Sequence, residues 1–284
     1  MSTVTPELIK NLRERTGVGV GKCKEALVES NGDIEKAVEI LRKAGVASAV
    51  KKETRATHEG RIEVLENEEG ITLLEMNAET DFVVNNEFFG KFHKEILVDA
   101  AHAKPSTLEE FLATKRKSDP SKTVDDARKE LIAVLGENIN ISRVKYIPRK
   151  PNTSYGVYSH MNGKILTLVE LEGSADEADF AREIAMHIAA EAPDYLVPED
   201  VPSNVKAKEE EIARSQLPQG KPEQVLEKIL DGKMKAFYDQ VCLLNQKFIK
   251  DNSITVGELV EQKAKEISKK LKINQFVRWY IGGE

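Results

Sequence analysis

Three places in this 284-residue chain hold residue types at spacings that could do chemistry. The first is Gly17-Val-Gly-Val-Gly-Lys22, glycines and a lysine in the manner of a loop that cradles phosphate. A Walker-type loop wants glycine where Thr16 stands, Ser or Thr where Cys23 stands, and a strand before it. The residues before Gly17 carry a helical period instead, so the segment reads as an interhelical turn. The second is the set of five histidines, His58, His93, His102, His160 and His187. They show no metal-ligand spacing and accompany no serine or cysteine nucleophile motif, so they read as structural or surface residues. The expectation is a chain with no catalytic residue, no metal site and no cofactor. The third place is Asn77-Ala-Glu-Thr-Asp-Phe-Val-Val-Asn-Asn-Glu-Phe-Phe89, three phenylalanines and three carboxylates in thirteen residues after a run that reads as a buried strand. Thr80 or Asp81 could cap the helix carrying Phe88 and Phe92, with Phe82 as its anchor to the sheet. Residue types alone leave open a second reading, in which Asp81 and Phe82 serve something outside the fold.

Composition bounds what these segments can serve. The chain is 40% hydrophobic and 32% charged, with material for two or three domains and a sizeable core. A net charge of -6 argues against nucleic acid as the principal partner, because counterion release needs clustered cations. Cys23 and Cys242 are the only thiols, and no signal segment or apolar run near twenty residues interrupts the chain. This fits a reducing cytoplasm, with no disulfide framework and no membrane span.

The elements that must position the third segment can be laid out from periodicity. Residues 1–45 predict a three-helix head. Thr5-Pro6 opens the first helix and Gly17 stops it; Cys23, Ala26 and Leu27 mark the second, which ends at Asn31-Gly32; Asp33 caps a third that runs to Gly45. Residues 46–59, with Lys51, Lys52 and Arg55, read as a flexible basic linker. Gly60-Arg-Ile-Glu-Val and Ile71-Thr-Leu-Leu-Glu-Met76 form a hairpin, and Gly156-Val-Tyr-Ser with Ile165-Leu-Thr-Leu-Val-Glu-Leu171 repeats it. Each hairpin leads into a helix, with Phe88, Phe92 and Ile96 matching Phe180, Ile184 and Ile188. The fold class is therefore α+β: two repeated subdomains, each an antiparallel sheet covered by helices, at 60–148 and at 149–195 with 239–284. Residues 196–238 insert an antiparallel helical hairpin whose apolar stripe, Val225, Leu226, Ile229, Leu230 and Phe237, wants a second copy of the chain to cover it. Thr255-x-x-Glu258 is a capping box for the last helix, and a final strand runs from Asn274 to Ile281.

Thr80-Asp-Phe-Val83 after a strand, with Leu12-Arg-Glu-Arg-Thr-Gly17 and Cys23-Lys24 in a helical head, resembles the bacterial elongation factor Ts family. Asn31-Gly-Asp33, Gly136-Glu-Asn-Ile-Asn140, Ala185-Met-His-Ile-Ala-Ala190 and Thr255-Val-Gly257 extend the resemblance over essentially the whole chain. The resemblance implies a ubiquitin-associated-type head, a core that binds elongation factor Tu, a hairpin that dimerises, and guanine nucleotide exchange without covalent chemistry. It assigns Thr80, Asp81, Phe82 and Val83 to a motif near the partner's magnesium site, Phe82 as a wedge and Asp81 as a perturber of the groups that support the ion. It assigns Arg13, Val20, Gly21 and Lys24 to head contacts, Leu135 and Gly136 to a loop beside the wedge, and His160 to an interface contact of the second hairpin. Plain helix ends and an exposed turn account for the last three equally well. The alternative is a ubiquitin-like, peptide or RNA adaptor using the head and the basic linker.

Overall fold

Helix starts fall where side-chain capping chemistry places them. In the structure, a computed structural model that describes residues 4–283, with Val46 by its backbone alone, Thr5 Oγ1 accepts from the Leu8 N–H at 3.3 Å and opens α1 (Pro6–Thr16). Gly17 ends that helix at φ +68°, a left-handed cap that suits glycine. After α2 (Val20–Glu29), Asp33 caps α3 (Ile34–Val50) through the Lys36 N–H at 3.1 Å. Leu12, Cys23, Leu27, Ala37 and Leu41 close a small core between the three helices.

α3 does not stop at Gly45. A Cβ on Gly45 would lie 2.7 Å from the Cβ of Ala133, so this glycine serves a close helix-to-helix approach instead of a helix end. The added turn buries Ala49 in the main core, which takes part of the segment expected as a flexible linker into the helix.

The core of the same unit is an antiparallel sheet of order β1-β2-β3, formed by β1 (Glu59–Glu66), β2 (Gly70–Ala78) and, after the helices α4 (Asp81–Val84), α5 (Glu87–Ala103), α6 (Leu108–Ala113) and α7 (Val124–Leu135), by β3 (Ile139–Pro148). Every residue of the central β2 is buried. Phe89, Phe92, Ile96 and Ala100 of α5 and Ile132 of α7 pack into the cluster that includes Leu74 and Met76 of β2. The chain divides by packing into this unit, Met1–Arg149 with Tyr280–Glu284, and a second, Lys150–Trp279.

The second unit repeats the hairpin-then-helix order with β4 (Thr153–His160), β5 (Ile165–Glu172) and α8 (Ala178–Glu191). Helices α9 (Ser203–Ser215) and α10 (Glu223–Val241) follow, then the short strands β6 (Lys247–Phe248) and β7 (Asp251–Thr255). Thr255 and Glu258 form their capping box at the start of α11 (Val256–Glu266), and β8 (Lys272–Tyr280) joins β5 as β3 joins β2. The molecule is thus a mixture of helix and antiparallel sheet.

The repeat is real in order but slips by one turn against the sequence match. Lys104 and Ala192 are the left-handed caps of α5 and α8, each donating its N–H to a carbonyl four residues back, Ala100 and Ile188. Anchored on these caps, Phe92 corresponds to Phe180, Ile96 to Ile184 and Ala100 to Ile188. An apolar spacing of four looks the same after a shift of four. Phe88 therefore belongs to an extra first turn of α5, and it is the adjacent Phe89 that is buried.

This packing can be tested at a glycine and at a histidine. A Cβ at Gly156 of β4 would sit 2.1 Å from the backbone carbon of Ala181, so α8 crosses the strand on that glycine. Gly156→Ala is expected to cost about 2 kcal/mol or more in thermal melts, because backbone must move. Gly90→Ala, in a helix with open space around the new methyl, should be neutral or stabilising by about 0.5 kcal/mol. The histidine is His93, fully buried with Nε2 3.2 Å from the Leu74 carbonyl. Burial pushes this imidazole down to about 4. Below about 6.5 the unfolded chain binds a proton that the folded chain refuses, so stability falls as pH drops. Urea unfolding should show a loss of about 2 kcal/mol between pH 7 and pH 5 that His93→Gln lacks.

Candidate partner-binding site

The site begins where β2 leaves the core. Thr80 is extended and its hydroxyl accepts from the Val83 N–H at 3.4 Å, capping the single turn of α4. Asn86 then caps α5 separately, its side-chain oxygen accepting from the Phe88 N–H at 2.9 Å. In one helical turn, adjacent pairs face opposite ways. Val83 and Val84 point into the main core, which leaves Asp81 and Phe82 outside. Phe82 is 84% exposed. The capping expectation is thus half met: Thr80 is a cap, but of α4 and not of the helix bearing Phe92, and Phe82 anchors nothing. A phenyl ring held in water gains nothing for the folded monomer.

Glu79 and Glu137, which lie inside quoted segments of the sequence but had no role there, hold this turn. Gly136 is the left-handed cap of α7 at φ +83°, with its N–H on the Ile132 carbonyl, and it turns the chain so that Glu137 faces Thr80. Glu137 accepts from the Thr80 N–H at 3.0 Å and from the Thr80 hydroxyl at 2.8 Å. In return Glu79 accepts from the Asn138 N–H at 2.6 Å. The buried Asn138 side chain donates to the Arg55 carbonyl at 2.8 Å, tying down the segment that follows α3. Beside it, Lys52 is held below the usual lysine range, first by burial and then by the charges of Lys22 and Arg55.

The turn between α1 and α2 comes to the same neighbourhood. A Cβ on Gly17 would lie 3.2 Å from Val134 of α7 and 3.7 Å from the Phe88 ring, itself 52% exposed. Thr80 to Val83, Leu135, Gly136 and this turn are therefore brought together. Val20, Gly21 and Lys24 are exposed along α2, and Arg13 is exposed on α1. Val28, one turn beyond Lys24, extends that exposed stripe. Its signal in the sequence was the spacing of four from Val20 and Lys24. Phe88 had none, because its spacing to Phe92 mimics a core position. His160 lies in the second unit, exposed at the end of β4 with Nδ1 2.9 Å from the Tyr158 hydroxyl.

The glycine-rich segment is a turn at Gly17 to Gly19 followed by the first turn of α2, and Cys23 beyond it is buried with its thiol on the Val18 carbonyl at 3.3 Å. Burial pushes the Cys242 thiol up to about 11, which leaves it unreactive at neutral pH. Among the described residues, no group of three or more His, Cys, Asp or Glu converges to hold a metal ion. No helix among them is long and apolar enough to cross a membrane.

The family model described as Elongation factor TS matches residues 79–283, starting at the carboxylate that receives Asn138. Elongation factor Ts of Protochlamydia amoebophila (strain UWE25) is 52% identical over 282 residues, covering 99% of this chain and 100% of the relative. The proteins of the same name from Chlamydia muridarum (strain MoPn / Nigg) and Chlamydia caviae (strain ATCC VR-813 / DSM 19441 / 03DC25 / GPIC) are 46% and 43% identical over the same share of each chain. With the match running from one end of the described fold to the other, the chain belongs to the elongation factor Ts family.

Proposed function

We propose that this chain is a guanine nucleotide exchange factor for elongation factor Tu and works by contact alone, with no covalent step. The observation that carries the proposal is the Phe82 ring, exposed on a turn that the core and Glu137 hold from behind. Bound GDP depends on magnesium bridging its phosphates to the protein, so a factor that speeds release must disturb that arrangement. Phe82 enters the partner as a wedge, and Asp81 sets a negative charge beside the groups that hold the ion. Arg13, Val20, Gly21 and Lys24 on the head, and Leu135, Gly136 and His160 on the core, supply binding energy that offsets the distortion. The coupling is reciprocal: the factor weakens GDP binding by the ratio in which GDP weakens factor binding.

The finer organisation belongs to the same reading. The three helices form a ubiquitin-associated-type head, the two sheet units form the partner-binding core, and α9 with α10 forms a dimerisation hairpin. In support of the last, α9 and α10 bury Ala213 and Leu230, while Ile212 and Val225 remain exposed and Leu226, Ile229 and Phe237 are half-covered. A second copy is the simplest cover for that stripe. The protein acts in the cytoplasm, where translation takes place.

Stopped-flow release of a fluorescent GDP analogue from elongation factor Tu tests the wedge. Phe82→Ala should leave a weaker complex and lower stimulated release more than tenfold, in line with the roughly 2 to 4 kcal/mol carried by interface aromatics. Asp81→Ala should cost less, since its charge acts through screened electrostatics. Normal release with Phe82→Ala would sink the proposal. For the hairpin, its base is closed by the Asp194 and Tyr195 N–H groups on the Val241 carbonyl, each at 3.0 Å, so residues 198–239 can be replaced by a short Gly-Ser link. Light scattering should then give a folded monomer from a parent that is a dimer; a monomeric parent at micromolar concentration rules out the dimer.

A further inference from the structure

We propose that Glu137 is a positioning residue for the Phe82 wedge, acting through Thr80, an inference that rests on the exchange reading above. α4 is four residues long, too short to hold its own direction by helix cooperativity. Its orientation comes from the burial of Val83 and Val84 in the core and from what holds its ends. At the N-terminal end, one carboxylate takes both polar hydrogens of Thr80, the N–H at 3.0 Å and the hydroxyl at 2.8 Å. The hydroxyl accepts from the Val83 N–H and gives its one hydrogen to Glu137, because a carboxylate can only accept. A charged acceptor with two oxygens suits this arrangement, and such charge-assisted bonds are the stronger kind.

The exchange is mutual, which makes it a register lock and not a single tether. Glu79 takes the Asn138 N–H at 2.6 Å while Glu137, the neighbour of Asn138, takes Thr80, the neighbour of Glu79. The strand end that carries Phe82 and the loop that carries Leu135 and Gly136 are thereby fixed to each other. On the exchange reading, both loops meet the same face of the partner. Loosening the lock leaves the binding groups present but lowers the fraction of molecules whose ring points outward at the right angle. The effect should fall on the rate of release in the complex more than on the concentration needed to form it.

A double-mutant cycle with Phe82 decides it, using the full chain, saturating stopped-flow release of a fluorescent GDP analogue, and rates corrected for the folded fraction from melts. Glu137→Gln should lower the saturating release rate about fivefold or more, with the half-saturating concentration changed less than about threefold. In the Phe82→Ala background the same substitution should cost less than about twofold, since a residue acting through the ring has nothing left to position. Thr80→Val, which removes the hydroxyl that Glu137 takes, should reproduce the loss, and its cycle with Phe82→Ala stands in if Glu137→Gln folds poorly. Additive effects of Glu137→Gln and Phe82→Ala, or normal release with Glu137→Gln while Phe82→Ala is slow, overturn the positioning role and leave the exchange reading standing. Normal release with Phe82→Ala overturns both.

Discussion

A strand buried on both faces must return its chain to solvent somewhere, and β2 does so at Glu79 and Thr80. Its nine residues are all buried, so its backbone is fixed by neighbours on either edge and by helices across its face. The first polar residues past that strand inherit a rigid starting direction. The crossed bonds from Thr80 to Glu137 and from Asn138 to Glu79 carry that rigidity one turn further, out to Phe82. An exposed ring on a loose loop would lose on binding much of what its burial contributes, through the entropy of ordering. Mounted on the end of a buried strand, it loses little.

The head depends on the same frame. Gly17 and Gly45 are the points where helices of the head meet α7, one by a left-handed turn against Val134 and the other by a bare Cα against Ala133. A side chain at Gly45 would force the head away from Ala133, whereas one at Gly17 would be strained by the positive φ and need Val134 to give by a few tenths of an ångström. Asn138, buried at the start of β3, takes hold of the chain just after α3. Helical head, one-turn helix and the loop after α7 are thus parts of one surface, set by glycine contacts and by the hydrogen bonds of a few polar residues.

The two hairpin-and-helix repeats show how a duplicated plan diverges. Both keep the strand order and the left-handed cap at the helix end. They differ at the start of the helix. α8 lies directly on Gly156, whereas α5 is preceded by α4 and carries an extra turn with Phe88. The exposed aromatic pair Phe82 and Phe88 arises in that insertion, where one repeat departs from the other.

The sequence by itself determined the head helices, the two hairpins with the helix after each, the helical hairpin, and the last helix and strand, because periodicity, caps and turn residues act within a few positions of each other; α4, α6, β6 and β7 carried no such signal. Thr5, Asp33 and the Thr255–Glu258 box open their helices where their chemistry says they should. It also located the Thr80 to Val83 stretch as unusual. Only the tertiary structure decided which ring of Phe82, Phe88 and Phe89 is buried, since a spacing of four cannot tell a core face from its neighbour one turn away. It alone decided that Gly45 is a contact and not a stop, and that Glu137, fifty-seven residues after Thr80, holds the site. Those facts are meetings between distant segments, and no local pattern along the chain records where another part of it will pass.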